Sequence, residues 1–235
     1  MRARDLLGVA LALLAAAVCV RLGTWQLSRL HQRRAANAVI AAARARPPLE
    51  LAPAIPAESL VERRVRARGV YDFAHERFWR PRIFEDQPGV DLVTPLVLSG
   101  GGGGGGGAGA GVLVDRGWVP SPDAYHVNQE LYREADTAVV VGLGLRAPRG
   151  RGDADPARLR DSLPYALLPI VVQALPDTSL GERRAGPMRW PASELSEGPH
   201  LSYTIQWFSF AVVILVGSAA LYRKRRQESR AATTK

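Results

Sequence analysis

The chain has 235 residues, of which 47% are hydrophobic, so it is long enough for one folded domain with short appendages. Its formal net charge is +9, but the excess lies at the two ends: residues 1–46 carry +7 and residues 223–235 carry +5. The 176 residues between them carry −3, which gives no support for a nucleic-acid-binding face. Basic ends beside hydrophobic segments are typical of a membrane protein.

The first apolar run covers residues 6–20 and is followed by Arg21 and LGTWQL. By itself the run has the length of a signal-peptide core, but with Arg21 near the interface the segment extends to Leu27 and reaches the roughly 20 residues that span a bilayer. No small-residue cleavage site follows the run. We therefore expect a retained transmembrane helix within residues 1–28, followed over residues 29–60 by a basic helix and a proline-rich connector.

A second apolar run, residues 205–222, predicts another transmembrane helix over residues 200–222 and leaves a basic tail at 223–235. Arginines after the first helix favour an external N-terminus, but a basic cluster directly abutting a helix resists translocation, whereas a long loop crosses largely regardless of its charge. The RKRR sequence that follows the second helix therefore decides the orientation. We expect a cell-membrane protein with both termini in the cytoplasm.

Between the two spans, residues 61–199 hold short runs rich in Val, Leu and aromatic residues, each bounded by Gly, Pro or charge. These runs are residues 63–72, 90–98, 111–120, 137–146 and, less regularly, 163–176. They predict a small antiparallel barrel or sandwich of about six or seven strands. The predicted fold class is membrane α+β, with two transmembrane helices flanking a β-rich extracytoplasmic domain.

Eight consecutive glycines at 100–107 open a low-complexity insertion that ends at residue 111. A phosphate-binding loop would need a Lys and a Ser or Thr at its end and a helix after it, but a strand-like segment follows here. Polyglycine has high chain entropy, so we expect a flexible surface insertion at the tip of a hairpin.

Motifs for catalysis or metal binding are missing from the sequence. Cys19 is the only cysteine, which excludes an internal disulfide and a thiolate cluster, and the four histidines lie far apart. Candidate acid–base carboxylates are scattered, and neither a nucleophile elbow nor a Cys/His pair is present. We expect no enzymatic activity, and a copper or zinc carrier is disfavoured.

Polar and aromatic residues cluster where each span reaches the outer interface. The first helix has Trp25, Gln26 and Arg29 on one side, and the second has His200, Tyr203 and Trp207 on one side. Because the two spans run in opposite directions, both groups lie at the same interface. An aromatic belt with a polar cap accounts for the aromatic residues, and it remains an alternative to ligand contact for the histidine and the arginine.

Six segments occur in a fixed order along the chain: GTWQLSR, RRVRARGVYD, PGVDLVTPL, VDRGWVP, GLGLR and HLSYTIQWF. In this ordered set the chain resembles the surfeit locus protein one family of cytochrome oxidase biogenesis factors, over nearly its whole length. The resemblance implies assembly of a haem–copper oxidase, with haem a handled at or near oxidase subunit I. In that family a histidine at the start of the second helix is the position proposed to meet the haem, and it corresponds to His200.

The resemblance also implies haem a as a transient cofactor, with His200 as the iron ligand and Arg29 as the partner of a propionate. The remaining contacts would come from Trp25, Gln26, Tyr203 and Trp207. Implied partners are oxidase subunit I, other oxidase assembly factors and membrane lipid, without nucleic acid. One alternative is a membrane-anchored scaffold that grips oxidase subunits and binds no haem. A membrane-tethered sensor is weaker, because the 13-residue tail is too short for an output domain.

The chain departs from the family pattern at three places. Asp115 stands where the family usually has Asn, and Gly198 and Pro199 stand where it has a pair of Asn. Residues 147–165 do not match the family segment that is rich in Phe, Pro, Asn and Trp.

Overall fold

The computed structural model describes four stretches of the chain: residues 3–99, 109–148, 154–176 and 186–233. Most of the predicted polyglycine insertion, residues 100–108, lies outside the described residues. The chain divides into two compact units. The helical unit combines Met1–Val39 with Leu195–Lys235, and the barrel unit is Ile40–Glu194.

Two long helices stand at the ends of the chain: α1 is Ala3–Ala45 and α4 is His200–Thr233. Both are long and apolar enough to cross a membrane, with 18-residue windows of mean hydropathy 2.3 and 1.8. Only 17% and 11% of those windows is buried within the protein, as expected when lipid covers the apolar surface. The helix α1 runs without interruption beyond the predicted span to Ala45.

Small residues form the contact between the two helices of the helical unit. Ala16 and Cys19 of α1 are buried together with Ala211 of α4. Further along, a Cβ atom added to Gly23 would lie 2.9 Å from the Phe208 ring, so glycine is needed for this approach. Close backbone approach at small residues is the usual basis of helix association in membranes, where apolar surface alone gives no preference for protein over lipid.

Seven strands form one sheet in the order β1-β2-β6-β7-β5-β4-β3. Their bounds are Leu49–Glu50, Arg64–Tyr71, Arg77–Phe84, Gln87–Leu98, Ala110–Pro120, Thr137–Arg146 and Ala166–Ala174 for β1 to β7. Two short helices accompany them, α2 at Ala57–Leu60 and α3 at Pro156–Leu159. Two 3₁₀ turns lie at Phe73–His75 and Gln129–Tyr132.

A second pairing of β2 closes the sheet into a barrel. Besides β6, β2 pairs with β4 through Gly69↔Leu98, Val70↔Val97 and Tyr71↔Leu96, so β2, β6, β7, β5 and β4 form a closed ring. A Cβ atom at Gly69 would lie 2.1 Å from the Val97 carbonyl oxygen, so the closure requires glycine there. The predicted β-rich domain with a barrel architecture is confirmed.

The direction of one strand pair differs from the sequence-based expectation. The ring is antiparallel except between β5 and β7, which pair in parallel. Hydrophobic alternation specifies which face of a strand is buried but not the direction of its neighbour, so the pattern could not predict this pair.

The barrel interior is filled by alternate residues of its strands, mainly Val, Leu and Ile. Its fully buried members include Val65, Ala67, Leu96, Val112 and Val172. A second cluster covers the outer face of β5 and β7, where Leu113 and Val171 lie against residues 154–165. The strand β5 is therefore buried on both faces along nearly its whole length, including the charged residues Asp115 and Arg116.

Candidate functional site

Among the described residues, no group of three or more His, Cys, Asp and Glu side chains could hold a metal ion. The predicted polar and aromatic residues near the start of α4 are the candidates to examine first.

His200 is the first residue of α4, and its ring lies against α1. The Nδ1 atom is 2.8 Å from Oε1 of Gln26, a residue 174 positions earlier in the chain. In the neutral imidazole, an Nδ1–H that donates to this amide oxygen leaves the lone pair on Nε2. The two predicted polar groups are thus brought together by one hydrogen bond that fixes the orientation of the imidazole.

Gly198, two residues before the start of α4, lies close to the other nitrogen of the His200 ring, Nε2. Gly198 has φ +71°, in the left-handed region that favours glycine. A Cβ atom added there would lie 3.5 Å from Cδ2 and 3.7 Å from Nε2 of His200. A larger residue at 198 would therefore occupy part of the volume next to Nε2, where the free lone pair is located.

Arg29 and Trp25 of the predicted site lie together on α1. The Arg29 guanidinium is 5.8 Å from the centroid of the Trp25 ring, and its Nη1 donates to Oε1 of Gln32 at 3.2 Å. Trp25 is 45% exposed within the protein. The arginine therefore presents its remaining donors beside an exposed aromatic face.

The two predicted aromatic residues of α4 have different surroundings. Tyr203 is 46% exposed, like Trp25. Trp207 instead packs against the small residues at the helix contact, and its ring is 5.9 Å from that of Phe210 in an edge-on arrangement. Of the predicted site residues, Gln26 contacts His200 directly, Tyr203 is available on the surface, and Trp207 stabilises the helix pair.

Sequence reasoning missed a group of α1 side chains that hold the segment before α4. This clamped segment comprises residues 195–199. Arg34 makes a bidentate contact with Glu197, with Nε to Oε1 at 2.8 Å and Nη2 to Oε2 at 2.9 Å. The hydrogen bonds and charge of Arg34 lower the pKa of the Glu197 carboxyl, so the pair stays ionised at neutral pH.

Two further α1 side chains bind the backbone of the clamped segment. Asn37 Nδ2 donates to the carbonyl oxygens of Leu195 at 3.2 Å and Ser196 at 3.1 Å. Arg33 Nε donates to the same Ser196 carbonyl at 3.1 Å. In the sequence, these α1 residues belong to the polar, basic stretch that follows the apolar part of the helix. That stretch does not indicate which residues it contacts.

The clamp and the Gln26 contact together fix the position of the imidazole. Gln26 and Arg34 are eight residues apart on one helix, a rise of about 12 Å. Only Gly198 and Pro199 separate Glu197 from His200, so a slip of the clamped segment along α1 would pull the imidazole away from Gln26.

The barrel unit contains a buried cation that is paired with carboxylates. Arg116 is 0% exposed; its Nη1 donates to Glu76 at 2.6 Å and its Nε to Glu134 at 2.9 Å. Its Nη2 donates to the Tyr132 carbonyl oxygen. This buried cation is thus enclosed by two carboxylates and a carbonyl oxygen of the barrel, which gives it a structural role there.

A second buried charge in the barrel is a carboxyl at the position where this chain departs from the family pattern. Burial, together with the charge of Asp91, raises the pKa of Asp115 to about 7. Its Oδ1 accepts from the Gly117 amide at 3.1 Å.

Two membrane-length helices at the ends of the chain, with a closed barrel between them in sequence, define a membrane-anchored barrel protein. The sequence profile of the SURF1 family matches residues 13–212. The chain belongs to the SURF1 family. Uncharacterized SURF1-like proteins of Mycobacterium bovis and Mycobacterium tuberculosis are each 28% identical to it over 226 residues, covering 88% of this chain and 80% of the relative. Family membership supports a general role in cytochrome oxidase assembly.

Proposed function

We propose that this protein assists assembly of a haem–copper cytochrome oxidase by holding haem a at the start of α4 before or during its insertion into oxidase subunit I. The observation that carries the proposal is the state of His200. Its Nδ1 is hydrogen-bonded to Gln26, and Gly198 leaves space beside its Nε2. A histidine oriented through Nδ1 and open at Nε2 has the arrangement of a metal-ligating imidazole.

Each neighbouring residue has a part in this proposal. Haem a supplies an iron that an imidazole can ligate, propionates that a cation can pair with, and a long apolar tail suited to lipid. Gln26 holds the His200 ring and its tautomer. Arg29 provides guanidinium donors for a propionate. Trp25 and Tyr203 offer exposed aromatic surface for the macrocycle, and Trp207 keeps α1 and α4 together.

The proposed topology places both termini in the cytoplasm and the barrel unit outside it. It rests on the basic residues that directly follow the apolar part of α4. In this orientation the His200 end of the helical unit faces the extracytoplasmic side of the membrane. Reporter fusions after residue 235 and near residue 105 test it, and a cytoplasmic signal from the second fusion contradicts it.

An absorption spectrum distinguishes haem handling from a scaffold role. We expect the protein purified from cells that make haem a to show a Soret band that co-elutes with it. A colourless protein that still co-purifies with oxidase subunits would support the scaffold instead. Among variants, Arg29→Ala should weaken haem retention, because a charge-assisted hydrogen bond to a propionate contributes about 1.5–3 kcal/mol. Tyr203→Phe should have less effect, because the ring area remains.

A matched pair at Gln26 tests the structural basis of the proposal. Gln26→Glu keeps an oxygen that accepts from Nδ1 and should retain haem. Gln26→Leu has similar volume but no acceptor, and loss of such an outer partner typically lowers metal affinity about 10–100-fold. Equal haem affinity of the two variants would show that the hydrogen bond has no part in haem binding.

A further inference from the structure

A groove lies between the two helices at the end opposite to His200. It has a volume of about 220 Å³ and is formed where the first turns of α1 face the later turns of α4. Apolar groups provide most of its walls, and one acidic and one basic side chain stand at its charged end. The residues that define it are Gly8, Val9, Leu221 and Tyr222, with Asp5 and Arg225 at the charged end.

The groove exists because the helices separate at this end. A Cβ atom added to Gly8 would meet no atom within 4 Å, whereas at Gly23 it would lie 2.9 Å from the Phe208 ring. The same residue type therefore has opposite roles at the two positions. Gly23 permits close contact between the helices, and Gly8 leaves open space between them.

The position of the groove along the helices matches the boundary of a bilayer. Asp5 directly precedes the apolar run of α1, and Arg225 lies three residues after the end of the apolar run of α4. The Val9 and Leu221 walls are thus at the level of hydrocarbon, and the charged end is at the level of the headgroups. This holds whichever way the helices are oriented.

We infer that this groove binds one anionic phospholipid, with an acyl chain along Val9 and Leu221 and the phosphate against Arg225. The Arg225 side chain is 71% exposed, and its Nη1 is 3.9 Å from Asp5 Oδ1, longer than a hydrogen bond. Its donors therefore remain available to a phosphate oxygen, with which a guanidinium forms charge-assisted hydrogen bonds.

Lipid retention by the purified full-length protein tests the inference. The protein is delipidated in mild detergent, then phosphatidylglycerol or phosphatidylcholine is added and the bound lipid is counted by native mass spectrometry. We expect one phosphatidylglycerol to be retained at a concentration at least tenfold lower than phosphatidylcholine requires. Gly8→Leu, which fills the groove, and Arg225→Gln, which removes the phosphate contact, should each abolish this preference.

Two matched variants serve as controls. Gly217→Leu adds the same side chain at an exposed α4 glycine that also has no neighbour within 4 Å but does not line the groove. Arg223→Gln removes a basic residue of the same cluster outside the groove. Both should behave like the unchanged protein. Equal phosphatidylglycerol retention by Gly8→Leu and Gly217→Leu would overturn the inference. So would equal retention of the two lipids by the unchanged protein. Loss of a co-purifying protein rather than of lipid in Gly8→Leu would also overturn it. None of these outcomes depends on haem binding.

Discussion

The two units of the molecule are built in opposite ways. Most strand residues of the barrel unit are buried, and its charged Arg116 is enclosed among partners. In the helical unit, the described residues that are buried are few and mostly small or hydroxylated: Ala16, Cys19, Gly23, Leu30, Thr204 and Ala211. The barrel therefore contains the interactions that stabilise it, whereas the helix pair exposes its apolar surface and keeps the side chains of the proposed haem site accessible. If the proposal is correct, stability and function lie in different parts of the chain.

The largest stability effect should come from the buried charge of the barrel. Arg116→Ala leaves the buried Glu76 without its cation, whereas Glu134 keeps Arg189, and breaking a buried pair costs about 3–5 kcal/mol. Denaturant unfolding followed by tryptophan fluorescence measures the loss. Arg66→Ala, at an exposed pair, should change stability by less than about 1 kcal/mol. Similar losses in both variants would contradict the comparison between buried and exposed charge.

The buried carboxyl of β5 should make the barrel pH-dependent. Because the pKa of Asp115 is raised to about 7, the folded carboxyl keeps its proton where an unfolded one, with an ordinary pKa of about 3.9, has lost it. Stability therefore decreases as the pH rises from about 4 to about 7 and is constant above that range. Asp115→Asn should match the unchanged protein near pH 4 and exceed it at pH 8.

The charged neighbours of Asp115 are Asp91, which raises its pKa, and Arg82, which opposes that effect. Urea unfolding at several pH values measures how the free energy of unfolding depends on pH. Asp123→Asn is the control, because that exposed carboxyl is hydrogen-bonded to His126, which lowers its pKa, and its loss should give no gain at pH 8. If the free energy of unfolding of Asp115→Asn depended on pH as strongly as that of the unchanged protein, a raised pKa of Asp115 would be contradicted.

Local patterns in the sequence predicted much of this architecture. The apolar runs predicted both long helices, and the Val-rich runs predicted five of the seven strands. Helical spacing also grouped Gln26 with Trp25 and Arg29, and the antiparallel spans placed that group near His200. These features depend on residues close together in sequence, where periodicity is informative.

Features that depend on distant residues were not predictable. The closure at Gly69 and Leu98 and the parallel β5–β7 pair both require knowledge of which strands are neighbours. The strand β3 is partly exposed, and its arginines and Pro81 mask the apolar alternation. The Arg34–Glu197 contact joins residues 163 positions apart, and nothing in either local sequence selects the other.

The clamp on the helical unit should have a moderate effect on haem and little on the barrel. Arg34→Glu or Glu197→Arg places like charges together and should weaken haem retention several-fold, since an exposed pair contributes about 0.2–1 kcal/mol and its reversal adds repulsion. The double variant Arg34→Glu with Glu197→Arg restores the pair and should restore retention. Titration with haem, followed by absorbance, measures the haem affinity of the single and double variants. No recovery in the double variant would contradict a positioning role.

The smallest effect should follow deletion of residues 101–107 from the polyglycine run. The flanking strands β4 and β5 already pair as far as Val97↔Gly111, so the shortened loop should change stability by only about 1 kcal/mol. Thermal unfolding and oxidase assembly in cells are the measurements. Loss of the folded barrel on deletion would show that the run has a structural role.

The central claim is that the helix pair, not the barrel, holds the haem. The most direct measurement is the Soret absorbance per protein of His200→Ala, compared with His126→Ala, which removes an exposed histidine of the barrel unit. The account predicts that His200→Ala loses the Soret band while remaining in the membrane with a folded barrel, and that His126→Ala keeps the band. A normal Soret band and normal oxidase assembly in His200→Ala would contradict the account.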